Sequence, residues 1–256
     1  MRPIDAHVST SDIRVYYRAV APFYEREMRL RSDLEEWRAV ARRLRPARVL
    51  DLGSGDGRAG EAIRDELPRA TVVGVDLGVA LLEHGPGGPF VLGDMRALPF
   101  RRASFDLVVA ANDPFAHLLD ERERLAAVKE AVGALRRHGR LIVDGLWLST
   151  GDRRRAGDGG LLRDRTLGQG LVLREHWRAL DGSVFETSYE YRRDGRRISE
   201  AHARVRAWDP REPAVREVRG RVFGSLDERS FTFAGDRLVV IIDADTVGAP
   251  EEASST

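Results

Sequence analysis

Apolar residues recur every three or four positions through residues 11–44: Val15, Ala19 and Phe23, then Leu34, Trp37, Val40, Ala41 and Leu44. That period predicts helix, with N-caps on offer at residues 9–12 and Pro22 dividing the stretch or kinking it. Short apolar runs follow at residues 48–52, 71–76, 90–94, 104–112 and 140–144, each the length of a buried strand, with a helix expected over 58–67. Residues 151–160 are rich in Gly, Asp and Arg with no apolar period, which predicts a mobile loop. Beyond them the spacing becomes two: Leu173, Glu175 and Trp177, then Phe185, Thr187, Tyr189 and Tyr191, then residues 198–208. Asp181-Gly182 and Asp194-Gly195 separate these runs, so the pattern predicts a three-stranded antiparallel meander. Residues 209–218 hold at most a short helix, interrupted by Pro210 and Pro213. Two runs at 221–226 and 237–242 then predict a closing antiparallel pair, and 249–256 a disordered tail.

The first strand breaks into glycine. Gly53, Gly55 and Gly57 let the backbone turn sharply and approach a ligand closely, and the helix that follows turns its unsatisfied N–H groups back into the loop. Gly55, Gly57 and Gly60 fit the dinucleotide spacing GxGxxG, whereas Asp51, Gly53, Gly55 and Gly57 spell DxGxGxG, so this loop alone leaves two cofactor families open. Asp76, at the carboxyl end of the next strand, is placed to accept both hydroxyls of a ribose, at about 1.5 to 3 kcal/mol per charge-assisted bond. Either cofactor carries that ribose.

The later motifs separate the two. DxGxGxG resembles motif I of class I S-adenosylmethionine-dependent methyltransferases. Asp94 with Met95 resembles the same family's adenine site, an acidic residue for the amino group and a neighbour for the ring. Phe105-Asp-Leu-Val-Val is similar to motif IV, and residues 131–144 resemble the helix, glycine turn and fifth strand, with His138 in place of a proline. The segment Asn112-Asp-Pro-Phe-Ala-His-Leu118 is similar to one in glycine N-methyltransferase, although Asp113-Pro114 departs from it, and residues 17–24 look like the tyrosine-bearing arm of small-molecule methyltransferases. The resemblance implies an α/β fold: a Rossmann-like seven-stranded methyltransferase sheet with helices on both faces, an N-terminal helical arm and an inserted antiparallel β lid. The implied divisions are an arm over 1–47, a core over 48–150 and 209–248, and a lid over 151–208. S-adenosylmethionine is the implied cofactor, held by Asp51, Gly53, Ser54, Gly55, Asp76, Leu77, Asp94, Met95 and Asn112.

Methyl transfer from a sulfonium is an in-line displacement, so the protein mainly orients and desolvates, and a protonated nucleophile also needs a base. Asn112 offers both a donor and an acceptor, Asp113 a proton acceptor or an attraction for a cationic amine, and His117 a general base, which makes these three the catalytic candidates. Tyr17, Tyr24 and Trp147 are the candidates for holding the acceptor, with packing as the alternative for each. Asn112, Pro114 and Phe115 also resemble the NPPF motif of enzymes that methylate exocyclic amines of bases or glutamine, which Asp113 interrupts. A non-catalytic S-adenosylmethionine-binding protein and a nicotinamide oxidoreductase complete the alternatives.

The 256 residues include 42% hydrophobic positions, enough for one core with an elaboration. The 42 basic residues include a single lysine, Lys129, and are matched by 41 acidic ones, leaving a net charge of +1. That balance argues against a nucleic-acid partner, since such proteins carry a basic excess or stripe. There is no cysteine, the histidines lack metal-ligand spacing, and no apolar run approaches the roughly 20 residues of a membrane span. The expectations are a cytoplasmic protein with a small-molecule substrate and no metal, nucleic acid or membrane partner, homo-oligomer formation being left open.

Overall fold

The computed structural model describes residues 9–29, 33–86 and 88–247. Eleven strands among these residues form two sheets. The larger contains β1 (Arg48–Leu52), β2 (Thr71–Asp76), β3 (Phe90–Leu92), β4 (Phe105–Ala110), β5 (Leu135–Gly145), β10 (Arg221–Phe223) and β11 (Leu238–Asp243), in the order β10-β11-β5-β4-β1-β2-β3. Strands β1 to β5 run parallel to their neighbours, while β11 is antiparallel to β5 and to β10. This is the expected seven-stranded Rossmann-like sheet, and the strand order reverses between β1 and β4, where ligands of such sheets bind.

Both faces are covered. Helices α2 (Asp33–Leu44) and α3 (Arg58–Glu66) bury Trp37, Val40, Ala41, Ala59, Ala62 and Ile63 against Val49, Leu107, Val109 and Ile142. On the opposite face, α4 (Glu121–Ala134) and the short α6 (Pro213–Arg216) pack Ala127, Val128, Ala131 and Val215 on Leu50, Leu52, Val108, Leu141 and Val143. Because the central strands β1, β4 and β11 and the second half of β5 bury residues on both sides, their runs read as continuously apolar.

The second sheet has the order β6-β7-β8-β9, built from β6 (Leu161–Gly168), β7 (Leu171–Asp181), β8 (Val184–Arg193) and β9 (Arg196–Arg206). The sequence pattern predicts three of these and not β6, which presents Arg163 and Arg165 inward between Leu161 and Leu167 and so lacks an apolar alternation. Residues 151–160 are also not a plain loop. Helix α5 (Thr150–Gly157) is capped by Ser149, whose hydroxyl accepts the Asp152 N–H at 3.2 Å, and only Ala156 supplies a buried apolar side chain, too little to show as a period.

Helix α1 (Thr10–Met28) continues through Pro22, so of the two expected outcomes, a division or a kink, the division does not occur there. An interior proline costs about 3 kcal/mol, and tertiary packing offsets it: Val20 joins Leu167, Leu171, Leu173, Tyr191 and Ala201 in a core shared with the second sheet, and Phe23 stacks on Tyr191 at 4.1 Å. At residues 131–144 the expected helix, glycine turn and strand give way to α4 ending at Ala134 and β5 starting at Leu135. His138, with φ +63°, takes the left-handed conformation within β5, and Asp245 holds it through the His138 N–H at 3.1 Å and Nδ1 at 2.5 Å. The expected tail at 249–256 lies outside the described residues, as does His7. No described helix is long and apolar enough to cross a membrane.

Candidate active site

At the carboxyl edge of the sheet, the loop after β1 is fixed by its own backbone. Gly53 and Ser54 donate to the Val75 carbonyl at 2.8 and 3.1 Å, and Gly53, Gly55 and Gly57 all adopt positive φ. Gly53 has no room for a side chain, since a Cβ there would lie 2.1 Å from the Pro114 Cβ. Asp51 sits beneath this loop and accepts the Gly60 N–H at 2.9 Å, and burial pushes its carboxyl up to about 7. The Ser54 hydroxyl turns away from the cleft towards Gly74. These two of the expected cofactor residues therefore shape the loop from behind.

The cleft itself is lined by Gly53, Gly55, Asp76, Leu77, Asp94 and Met95, together with Ile13, Leu81 and Leu118. It widens past Gly78 and His84 into a cavity of about 420 Å³. Asp76 accepts the Gly55 N–H at 3.0 Å and the Gly78 N–H at 3.1 Å, which ties the glycine loop to the end of β2 while leaving the carboxylate facing the cleft. Asp94 is forked by its neighbour Arg96, at 3.1 Å to Nε and 2.7 Å to Nη2, and this fork holds its carboxyl below the usual range.

The segment after β4 closes the cleft. Asn112 and Asp113 both have positive φ, +55° and +47°, a conformation costing non-glycine residues about 1 to 3 kcal/mol each and concentrated at ligand sites. Asn112 Nδ2 donates to the Tyr24 hydroxyl at 3.3 Å, and the Tyr17 hydroxyl lies 3.2 Å from His117 Nε2. His117 is pushed down to about 4 by burial, so its imidazole is neutral at physiological pH. Asp113 is placed differently from the other two catalytic candidates. It is 5% exposed, accepts the Leu146 N–H at 2.8 Å and faces the Arg124 guanidinium, so its carboxylate joins the ends of β4 and β5.

A second chamber, about 320 Å³ in volume, adjoins the cleft. Tyr17, Tyr24, Asn112 and His117 line both, forming the seam between them. The chamber's other walls come from α1, from the inner face of the second sheet and from the loop after β5, where Trp147 donates to the Gly235 carbonyl at 3.0 Å and packs edge-on against Phe231. Sequence pattern did not single out Glu27, Arg165 or Glu175 in this wall, nor Arg124 behind the seam. Arg124 is fully buried; it donates to the carbonyls of Phe115 (3.1 Å) and Arg206 (2.6 Å), pairs with Glu212 at 3.3 Å and stacks over Trp208. A mid-helix arginine carries no sequence signal of burial.

Glu27 supplies a prediction. Its carboxyl accepts the Tyr191 hydroxyl, and burial pushes it up to about 7. A raised folded-state value means that the protonated form is favoured by folding, so this group's contribution is greatest below about 4.5 and declines as pH rises through 7. Glu27→Gln mimics the neutral form and is expected to stabilise the fold by about 1 to 3 kcal/mol at pH 8 and by nothing measurable at pH 4.5. Denaturant melts at the two pH values check this; an equal effect at both contradicts it.

Residues 49–139 match the methyltransferase domain family. The chain is similar to the demethylmenaquinone methyltransferase of Thermotoga maritima, with 32% identity over 102 residues, 38% of this chain and 43% of that protein. It spans less than half the length of the curated relatives it matches. Among solved structures it resembles a methyltransferase from Streptomyces caelestis, with a TM-score of 0.69 and 20% identity over 93% of this chain and 98% of the other. It also resembles an S-adenosylmethionine-bound amino pentose methyltransferase from Micromonospora echinaspora, with a TM-score of 0.60 and 22% identity over 92% and 97%. At such identities the structural likeness shows the fold, which is that of class I methyltransferases.

Proposed function

We propose that this chain is an S-adenosylmethionine-dependent methyltransferase acting on a nitrogen or oxygen of a small molecule. The observation that carries the reading is the seam: a narrow cleft with a glycine loop and two strand-end carboxylates meets a second chamber at Tyr17, Tyr24, Asn112 and His117. The cleft suits the cofactor. Asp76 faces it at the place where ribose hydroxyls are accepted, Asp94 and Met95 offer an acceptor and an apolar surface for adenine, and Leu77 and Leu118 supply further apolar wall. When bound, the cofactor supplies an electrophilic methyl group.

The residues of this chain supply the rest. Tyr17, Tyr24, Asn112 and His117 are uncharged at neutral pH, and burial drives both tyrosines further from ionisation. A seam without charge favours a neutral amine or hydroxyl over its protonated form, which has no lone pair to donate. Asn112 is suited to orient the acceptor atom, and His117, neutral beside the Tyr17 hydroxyl, to hydrogen-bond the acceptor; with its basicity lowered by burial, the proton that the acceptor loses passes to solvent after transfer. Asp113, bonded to Leu146, acts on the reaction by holding the backbone of this segment. The finer kinship with glycine N-methyltransferases rests on residues 112–118. The amino pentose enzyme of the same fold favours an amine acceptor.

The test is methyl transfer from labelled S-adenosylmethionine to a panel of small amines, amino sugars and hydroxyl compounds, with protein and nucleic acid as parallel acceptors. Label in the small-molecule fraction is the expected result. Label only in protein or nucleic acid favours the amide reading suggested by Asn112-Asp-Pro-Phe, and cofactor binding without transfer favours a non-catalytic binder. Within the cleft, Asp76→Ala is expected to weaken cofactor binding about tenfold or more, since two hydroxyl contacts and two loop contacts are lost. Asp94→Ala is expected to cost less, because Arg96 already competes for that carboxylate. Calorimetry showing the reverse order contradicts the ribose and adenine assignments.

A further inference from the structure

The chamber beyond the seam is electrostatically lopsided, and the imbalance speaks to its ligand. On the wall that the cofactor cleft does not share, Glu27 of α1 and Glu175 of β7 are 7% and 5% exposed and face one guanidinium, that of Arg165 on β6. Arg165 Nη2 is hydrogen-bonded to Glu175 Oε1 and lies 3.6 Å from Glu27 Oε2. The remaining oxygens accept neutral donors, the Tyr191 hydroxyl at Glu27 and Trp177 Nε1 at 3.3 Å from Glu175. The chamber's other arginines are committed elsewhere: Arg163 to Asp152, and Arg237 to Asp144 at 3.0 Å and Glu36 at 2.6 Å. Two buried carboxylates thus share one cation. Around them stand Tyr16, Tyr189 and Trp177, with Tyr189 5.7 Å from Tyr16 and 6.2 Å from Trp177, rings whose faces suit an ammonium.

Resting on the methyltransferase reading, we propose that the acceptor is a cationic small molecule whose positive charge docks against Glu27 and Glu175, away from the atom that receives the methyl group. The separation follows from the seam. Asp113 and Asp144 also line the chamber, but they face Arg124 and Arg237, and Asp236 is exposed at the rim, so a protonated amine at the seam would have no lone pair and no unmatched buried carboxylate, whereas the Glu27–Glu175 wall has two for one guanidinium. Burial raises Glu27 towards neutrality, and the neighbouring Glu175 charge adds a smaller push in the same direction. One face of the chamber thus selects the charge and the other, uncharged, face presents the nucleophile. The volume of about 320 Å³ limits the part of the ligand that enters to roughly the size of a monosaccharide or a short amine.

The test compares two probes of the same length, 4-amino-1-butanol and 1,4-butanediol, titrated at pH 8 into the protein loaded with S-adenosylhomocysteine. The amino alcohol is expected to bind about tenfold or more tightly than the diol, a charge-assisted contact being the only difference between them. Glu27→Gln and Glu175→Gln are each expected to bring the two affinities within about threefold of one another. Glu27→Gln, predicted above to be more stable than the parent at this pH, keeps the test valid where Glu175→Gln fails to fold. Equal affinities in the parent, binding of neither probe, or a preference that survives in Glu27→Gln overturns the proposal. Titration of S-adenosylhomocysteine alone reports separately on the cofactor reading: if it fails to bind while the amino alcohol is preferred in the unloaded protein and not in Glu27→Gln, the charge-selecting wall stands and the methyltransferase reading falls.

Discussion

Replacing Gly53 with alanine is expected to lower S-adenosylhomocysteine affinity about a hundredfold or more and to destabilise the fold by about 2 to 4 kcal/mol. Two costs combine. With φ at +64°, any L side chain is strained, and the new methyl would lie 2.1 Å from the Pro114 Cβ, far inside contact distance. Neither partner moves freely: Gly53 is tied to the Val75 carbonyl, and Pro114 follows the two left-handed residues that set the seam. Relief of the clash therefore displaces either the glycine loop or the segment carrying Asn112 and His117. Calorimetry and thermal melting check this, and affinity within about threefold of the parent would show that the loop is looser than described.

Arg124→Met is expected to cost about 3 to 5 kcal/mol, because it leaves Glu212 buried without its main partner and removes the donors to two carbonyls. Arg124 joins α4 to the Phe115 carbonyl of the seam segment, to the end of β9 and to the start of α6. Adding Glu212→Leu removes the stranded charge and is expected to recover about half of the loss. A denaturant-unfolding cycle over the two single variants and the double variant measures the coupling, and strict additivity contradicts a working ion pair.

The sheet was largely legible because its strands are buried on both faces, so residues 48–52, 71–76 and 105–110 read as plain apolar runs and Gly53 to Gly57 mark the loop between them. The second sheet was legible where Asp-Gly turns punctuate an alternating pattern. It was obscured at β6, whose inward positions hold Arg163 and Arg165 because they face a polar chamber. Pro22 left division and a kinked single helix open, and what keeps the helix continuous, the packing of Val20 and Phe23 on Leu171 and Tyr191, is a long-range fact that local pattern does not carry. Within the site, the cleft residues Asp76, Asp94 and Met95 were recognisable from strand ends. Glu27, Arg165 and Arg124 were not, since each is distinguished from a surface charge only by tertiary burial, whereas Glu175 fell in the inward register of its alternating run with nothing to mark a role.

That burial also changes what a deletion of the second sheet would do. From sequence, removing residues 171–208 is expected to leave cofactor binding almost intact. In the structure, α1 brings Ile13, Tyr17 and Tyr24 to the cofactor cleft and takes most of its own core from that sheet, so the arm would lose its seat and cofactor affinity would fall with it.

The central claim is that the cleft at the carboxyl edge of β1, β2 and β3 holds S-adenosylmethionine and not a dinucleotide. Calorimetric titration of the purified chain with S-adenosylhomocysteine and, in parallel, with NAD tests it most directly. One site for S-adenosylhomocysteine is expected, with a melting temperature raised in step with about 2.7 kcal/mol at a hundredfold excess over the dissociation constant and no response to NAD. Binding of NAD, or a flat titration with S-adenosylhomocysteine, would contradict it.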